Sequence, residues 1–199
     1  ACQLQPRRIS TVSQSKASLQ PWSVVDDFNN DGLADFVFAE RNRDTLYLFL
    51  SVGNGEFEEL QRTLFVRKIP LDEIDFGHFN NDGLLDLCGT DRSGSRIQIF
   101  LAAHDEDFDG GITLHTGTGT DPTATTTADF NADGNTDIVT ALPSNNSIVV
   151  FLSDANGGFL AQRMFDTGPS SYPMDTAVAD FNRDGKQDVI VANNHDRHL

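Results

Sequence analysis

Basic side chains are scarce in this 199-residue chain: Lys and Arg number 14 against 30 Asp and Glu, for a net charge of −16. Phosphate backbones are repelled by such a surface, which argues against a nucleic-acid partner. Long apolar runs are missing, so no membrane span is expected. No secretory leader is visible, and the start at Ala1 rather than Met reads as a processed or excised segment. Two cysteines, Cys2 and Cys88, are too few for a disulfide scaffold. Helical periodicity is also lacking, which excludes a helical solenoid. No Ser/His/Asp order or isolated carboxylate pair stands apart, so no catalytic centre is expected and the chain is read as a non-enzyme.

What is abundant is one acidic nonapeptide. It occurs as DFNNDGLAD at 27–35, HFNNDGLLD at 78–86, DFNADGNTD at 129–137 and DFNRDGKQD at 180–188, and its copies start 51 residues apart. Eleven of the 30 acids sit inside these four segments. Crowded carboxylates repel one another unless a positive charge lies between them. The excess charge is therefore concentrated where a cation could neutralise it.

Around the nonapeptide a unit of about 51 residues repeats, starting near residues 22, 73, 124 and 175. An extended stretch such as SVVDDF leads into the acidic segment. Apolar runs follow at 35–39, 86–90, 137–141 and 188–192, then a polar turn, then LYLFLS, IQIFLA or IVVFLS with Phe49, Phe100 and Phe151 in register. A Gly-rich turn (GNGEF, ANGGF) precedes a more mixed fourth stretch, LQRTLFV or AQRMFDT, and Pro122 and Pro173 come before the next nonapeptide. Short Val/Ile/Leu/Phe runs bounded by Gly, Asn and Asp predict strands, and apolar residues at both parities predict burial on both faces. Cys88 shares its place with Val37, Val139 and Ile190 and is read as a buried apolar residue. The expected architecture is all-β: a β-propeller of four-stranded blades, one array over residues 1–199. Residues 1–21 would supply an outer strand to a neighbouring or closing blade. The chain stops at Leu199, where a fourth unit's third strand would begin. A piece of a longer array is favoured over a compact four-bladed ring completed by residues 7–15.

The D-x-N-x-D-G-x-x-D spacing places oxygen donors at positions one, three, five and nine, with a carbonyl at seven and a glycine at six for the sharp turn. All-oxygen donor sets suit Ca²⁺, which takes about 6–8 oxygens in flexible geometry. Zinc would want His or Cys. An EF-hand shares the first half of the pattern but needs flanking helices and a Glu at its twelfth position. Phe38, Gly89, Thr140 and Val191 stand there instead, inside apolar runs. A dockerin-type loop fails for the same reason. Asp-Asn-Gly clusters are also ordinary turn formers, but four copies in one register exceed what turn chemistry requires.

This nonapeptide, the buried strand after it and the GNGEF and ANGGF turns resemble FG-GAP/VCBS repeats. Such repeats build the calcium-binding propeller of integrin α subunits and of many secreted or surface proteins. The resemblance implies loops joining the first and second strands of each blade, all on one face. It implies ligands Asp27, Asn29, Asp31, Asp35 and the Leu33 carbonyl in the first loop. The third would use Asp129, Asn131, Asp133, Asp137 and the Asn135 carbonyl, and the fourth Asp180, Asn182, Asp184, Asp188 and the Lys186 carbonyl. The second loop departs from the pattern with His78, keeping Asn80, Asp82, Asp86 and the Leu84 carbonyl. Three Ca²⁺ sites are expected, with the second loop weaker or empty.

Other signals are weaker. His195 and His198 read as solvated turn residues, and TGTGT at 116–120 lacks the strand-to-helix context of a phosphate cradle. Asn145-Asn146-Ser147 is a glycosylation sequon on an expected turn. The expected function is extracellular recognition or adhesion toward a protein or glycan, from a secreted or cell-surface location. The alternative is an ancillary propeller domain of a secreted enzyme such as a polysaccharide lyase or phospholipase.

Overall fold

A computed structural model of the chain describes residues 22–29, 31–39, 45–63, 71–102, 108–154 and 156–194. Cys2, the outer strand expected from residues 1–21, and His195 and His198 all lie outside these. The apolar runs form strands as their composition dictates. Strands β1 (Trp22–Asp26), β2 (Asp35–Ala39), β3 (Thr45–Gly53) and β4 (Glu56–Thr63) make one sheet in chain order. A second contains β5 (Glu73–Gly77), β6 (Asp86–Asp91), β7 (Arg96–Ala102) and β8 (Phe108–His115). The third contains β9 (Thr125–Ala128), β10 (Asp137–Leu142), β11 (Ser147–Phe151) and β12 (Arg163–Asp166). Strands β13 (Pro173–Ala179) and β14 (Asp188–Asn193) form a two-stranded fourth sheet. All pairings are antiparallel, and no α-helix occurs among the described residues.

The period survives as register. Val24 faces Val37, Asp75 faces Cys88, Thr126 faces Val139 and Ala177 faces Ile190, each one repeat further along. The fourth strands depart from expectation. β4 begins at Glu56, within the Gly-rich turn, because Gly53, Asn54 and Gly55 bend the chain with positive φ and Gly53 already pairs with Glu56. β12 is only four residues long.

Successive sheets face one another as blades. β1 lies against β5, β5 against β9 and β9 against β13, so the first strands stand side by side. Alternate side chains of one strand serve opposite interfaces. Leu87 packs toward the first blade with Val37, Ile74, Phe76, Leu85 and Phe100, whereas Cys88 packs toward the third with Phe79, Ile99, Ile138, Val149 and Phe151. Every residue of β6 and of β10 is buried, which is why both parities had to be apolar. Cys88 is a fully buried free thiol, and burial pushes its pKa up, so it packs as an apolar side chain.

The outermost faces repeat the same positions without cover. Val25 is 64 % exposed where its counterpart Phe76 is 5 % exposed, and Ile190 is 51 % exposed where Cys88 is fully buried.

The blades are also joined by polar groups on the first strands. Asp75 accepts the Thr127 N–H at 2.9 Å and its hydroxyl at 3.1 Å, and Thr126 Oγ1 lies 2.8 Å from Thr176 Oγ1. Glu73 accepts the Thr125 N–H at 3.3 Å. Burial, reinforced by the Asp175 carboxylate, pushes Glu73 up from 4.5 to about 8, and burial also raises Asp75. A raised acid binds more protons folded than unfolded, so its contribution to stability falls as pH rises from 4.5 to about 8. Glu73→Gln should flatten the pH dependence of the melting temperature over that window and raise stability at its upper end. Thermal melts of the two chains across the window check this, and parallel curves would refute it.

Candidate metal centres

Each nonapeptide leaves a first strand and enters a second, and the third-to-fourth strand turns lie at the same end of the array. Two left-handed residues bend the loop. The sixth-position glycines Gly32, Gly83, Gly134 and Gly185 have φ between 82° and 89° with open space beyond, so conformation and not crowding requires them. At the fourth position Asn81, Ala132 and Arg183 adopt φ of 59° to 63°. That position was given no role from sequence, and for Ala132 the conformation costs about 1 kcal/mol or more.

Side-chain oxygens cap the bent backbone. Asp129 accepts the N–H of Asp133 at 3.2 Å and of Gly134 at 2.9 Å. Asp27 does the same for Asp31 and Gly32, and Asp180 for Asp184 and Gly185. The third-position amides of Asn29, Asn80, Asn131 and Asn182 accept the fifth residue's N–H and donate to its carboxylate. Asp31, Asp82, Asp133 and Asp184 in turn accept the N–H of Leu33, Leu84, Asn135 and Lys186. Hydrogen bonds from the Asn135 N–H and the Asn131 amide hold the exposed Asp133 carboxyl below its ordinary range.

The ninth-position aspartates behave differently. Asp35, Asp86 and Asp137 are fully buried. One oxygen of each accepts the second-position N–H, from Phe28, Phe79 and Phe130, at 2.9 Å. The other accepts an N–H where the third strand ends, from Ser51 at 2.7 Å and from Ala102 and Ser153 at 2.8 Å. They are structural bridges as well as candidate ligands. Burial raises Asp86 and Asp137 against these bonds. Asp188 is half-buried and takes the Phe181 N–H at 3.1 Å.

The donors are brought onto one loop but not into one shell: among the described residues no three Asp, Glu, His or Cys groups converge as a metal cluster. Several carboxylate and amide oxygens already accept one hydrogen bond and keep a second lone pair, whereas Asp133 Oδ1 accepts both the N–H and the side-chain amide of Asn135, and Asp137 Oδ1 both the N–H and the hydroxyl of Ser153. In loops one, three and four the donor set is all oxygen and rich in carboxylate, which fits a hard cation. The second loop differs. His78 donates from Nδ1 to the Leu84 carbonyl at 2.7 Å, occupying an oxygen that a cation would need.

Residues 27–88, 78–140 and 129–191 each match the model of the FG-GAP-like repeat, and the chain belongs to that family. No curated protein shows significant sequence similarity to it. Among solved structures, an Agrocybe aegerita lectin specific for non-reducing terminal N-acetylglucosamine superposes with a TM-score of 0.64 at 17 % identity, over 89 % of this chain and 48 % of the lectin. Virginiamycin B lyase from Staphylococcus aureus gives 0.53 at 11 % identity, over 88 % of this chain and 54 % of the lyase. The chain thus spans about half the length of each.

Removing a bridging carboxylate leaves two backbone donors without their acceptor in a buried place, at about 1–3 kcal/mol each. Asp137→Ala should therefore lower stability by about 3 kcal/mol in excess chelator, well beyond the effect of Asp133→Ala at the solvent-exposed fifth position. Denaturant titration of both variants measures the difference. Equal losses would show that Asp137 is no bridge.

Proposed function

We propose that the chain is a non-catalytic, calcium-stabilised propeller module for extracellular recognition of a protein or glycan. The observation that carries the calcium reading is the loop itself: the same left-handed glycine and the same Asn and Asp caps in four copies, three of them with an oxygen-only donor set. Loops one, three and four would each hold one Ca²⁺ through the first-, third-, fifth- and ninth-position side chains and the seventh-position carbonyl. Binding there exchanges the amide-to-carboxylate hydrogen bond within the loop for metal–oxygen contacts. Calcium supplies charge neutralisation, and nothing in the reading asks it to activate a substrate.

The chain's residues supply the rest. Because the ion binds the folded loop and not the unfolded chain, it stabilises the fold by about 2.7 kcal/mol per site at a hundredfold excess over Kd. Rigid hairpins then present the turns at the opposite end, which include the polar turn of residues 92–95 and the 3-10 turn Pro143–Asn145. Asn145 of the sequon is exposed there, compatible with a secreted or cell-surface protein. The lectin's fold likeness supports a glycan as ligand class. Further blades of the same repeat, from the same protein, would cover the exposed outer faces marked by Val25 and Ile190 and extend the array beyond four blades.

An ancillary role beside a secreted enzyme is the second reading. Binding to immobilised glycans by this chain alone, abolished by chelator, separates it from the first. Calorimetry should find calcium sites in the first, third and fourth loops, and chelator should lower the melting temperature. With calcium present, Asp133→Ala should lower it more than Asp82→Ala. An unchanged melt in chelator would defeat the calcium reading, and equal effects of the two substitutions would contradict the ranking of the second loop below the third.

A further inference from the structure

The second loop keeps the shape of its siblings without their first carboxylate. Asn81 and Gly83 have φ of 60° and 82°, against 59° and 89° for Ala132 and Gly134. The Asn80, Asp82 and Asp86 hydrogen bonds are all retained, so the missing Asp has not loosened the turn. What is new is the imidazole. A carbonyl oxygen cannot donate, so the 2.7 Å contact between His78 Nδ1 and the Leu84 oxygen requires the proton to sit on Nδ1.

The ring is delivered by a backbone fixed from the neighbouring blade. The His78 N–H donates to Thr136 Oγ1 at 3.1 Å, and the Thr136 N–H donates back to the His78 carbonyl at 3.3 Å. On the far side, Phe79 is fully buried between blades. Gly77, just before, leaves no room for a side chain: a Cβ there would stand 2.5 Å from Thr136 Cγ2. The main chain of residues 77–79 is therefore docked on the third blade, and the ring closes back over its own loop.

The geometry points to the second loop as a cation-independent latch, in which the His78 Nδ1–H takes the place of a metal ion at the Leu84 carbonyl. A hard cation seeks carboxylate and carbonyl oxygens. Here the first-position oxygen is absent and the proton on Nδ1 points at the carbonyl. This loop closes its hairpin whether or not calcium is present, leaving one cation-free junction, docked on the third loop, in a row of cation-dependent ones. The comparison with the other loops rests on the calcium reading above; the latch itself rests on the hydrogen bond.

Three measurements on the full chain test it. Calcium is titrated calorimetrically into chelator-stripped wild type and His78→Asp, with His78→Asn as the substitute if the aspartate variant does not fold. Wild type and His78→Ala are melted in chelator and in calcium. Long-range proton–nitrogen correlation reads the His78 tautomer. His78→Asp should bind one more calcium than wild type. His78→Ala should add none and lower the melting temperature equally in both conditions, and Nδ1 should carry the proton. A wild-type count equal to the number of loops, an aspartate variant with no added site while wild type binds calcium, or a proton found on Nε2 alone would each overturn the latch. If wild type binds no calcium, the reading of the other loops fails. The latch then stands or falls on the tautomer and on the His78→Ala melt, where no loss would refute it.

Discussion

The buried carboxylate at the ninth loop position is the constraint on which each complete blade depends. Asp35, Asp86 and Asp137 are fully enclosed, and each ties the start of its loop to the end of the third strand sixteen residues on. Strand pairing alone leaves the entry of the first hairpin and the exit of the second free to splay. Two N–H donors on one carboxylate hold them together. A carboxylate in such a place loses hydration, and burial does raise Asp86 and Asp137, so the paired hydrogen bonds are what make the arrangement tolerable.

With each blade's corner held, its faces can be apolar on both sides. β6 and β10 are buried throughout, and the side chains of one strand alternate between the core shared with the blade before and the core shared with the blade after. The first strands carry a different burden. They are short, they lie close to one another, and they bring Glu73 and Asp75 together with the threonines of β9. Hydroxyl and amide donors offset part of the cost of half-burying acids there, but not all of it, since Glu73 remains raised to about 8. The junction between second and third blades thus combines an apolar core with two acids on the first strand whose pKa burial raises.

In an FG-GAP-like array the loops share a scaffold but need not share a chemistry. All four have the same left-handed glycine, the same capping amide and the same fifth-position carboxylate. Only the first position separates the loop with an imidazole N–H at its carbonyl from those with a second capping carboxylate. The bend is made by left-handed residues and backbone donors; the donor set then decides what can occupy it.

Much of this was legible in the residues themselves. A 51-residue period, apolar runs of strand length and the Asp-Gly turns sufficed for the strands that flank each loop, for the burial of Cys88 and for the place of the loops between those strands. These are local or periodic properties, written in neighbouring residues. The left-handed fourth position was not legible, because Asn81, Ala132 and Arg183 have no chemistry in common and only the loop's closure forces their φ. Nor was the second role of the ninth aspartate, whose partner belongs to another strand. His78 reads from sequence as a defect in a metal loop. Its hydrogen bond to Leu84 forms only when its own loop closes, and its backbone pairing with Thr136, fifty-eight residues away, only when the second and third blades pack. Composition and spacing determine which strands and turns form. Which buried acid meets which donor is decided by folding, because the donors lie on other strands: Asp137 takes the Ser153 N–H sixteen residues on within its own blade, and Asp75 takes the Thr127 N–H fifty-two residues on in the next.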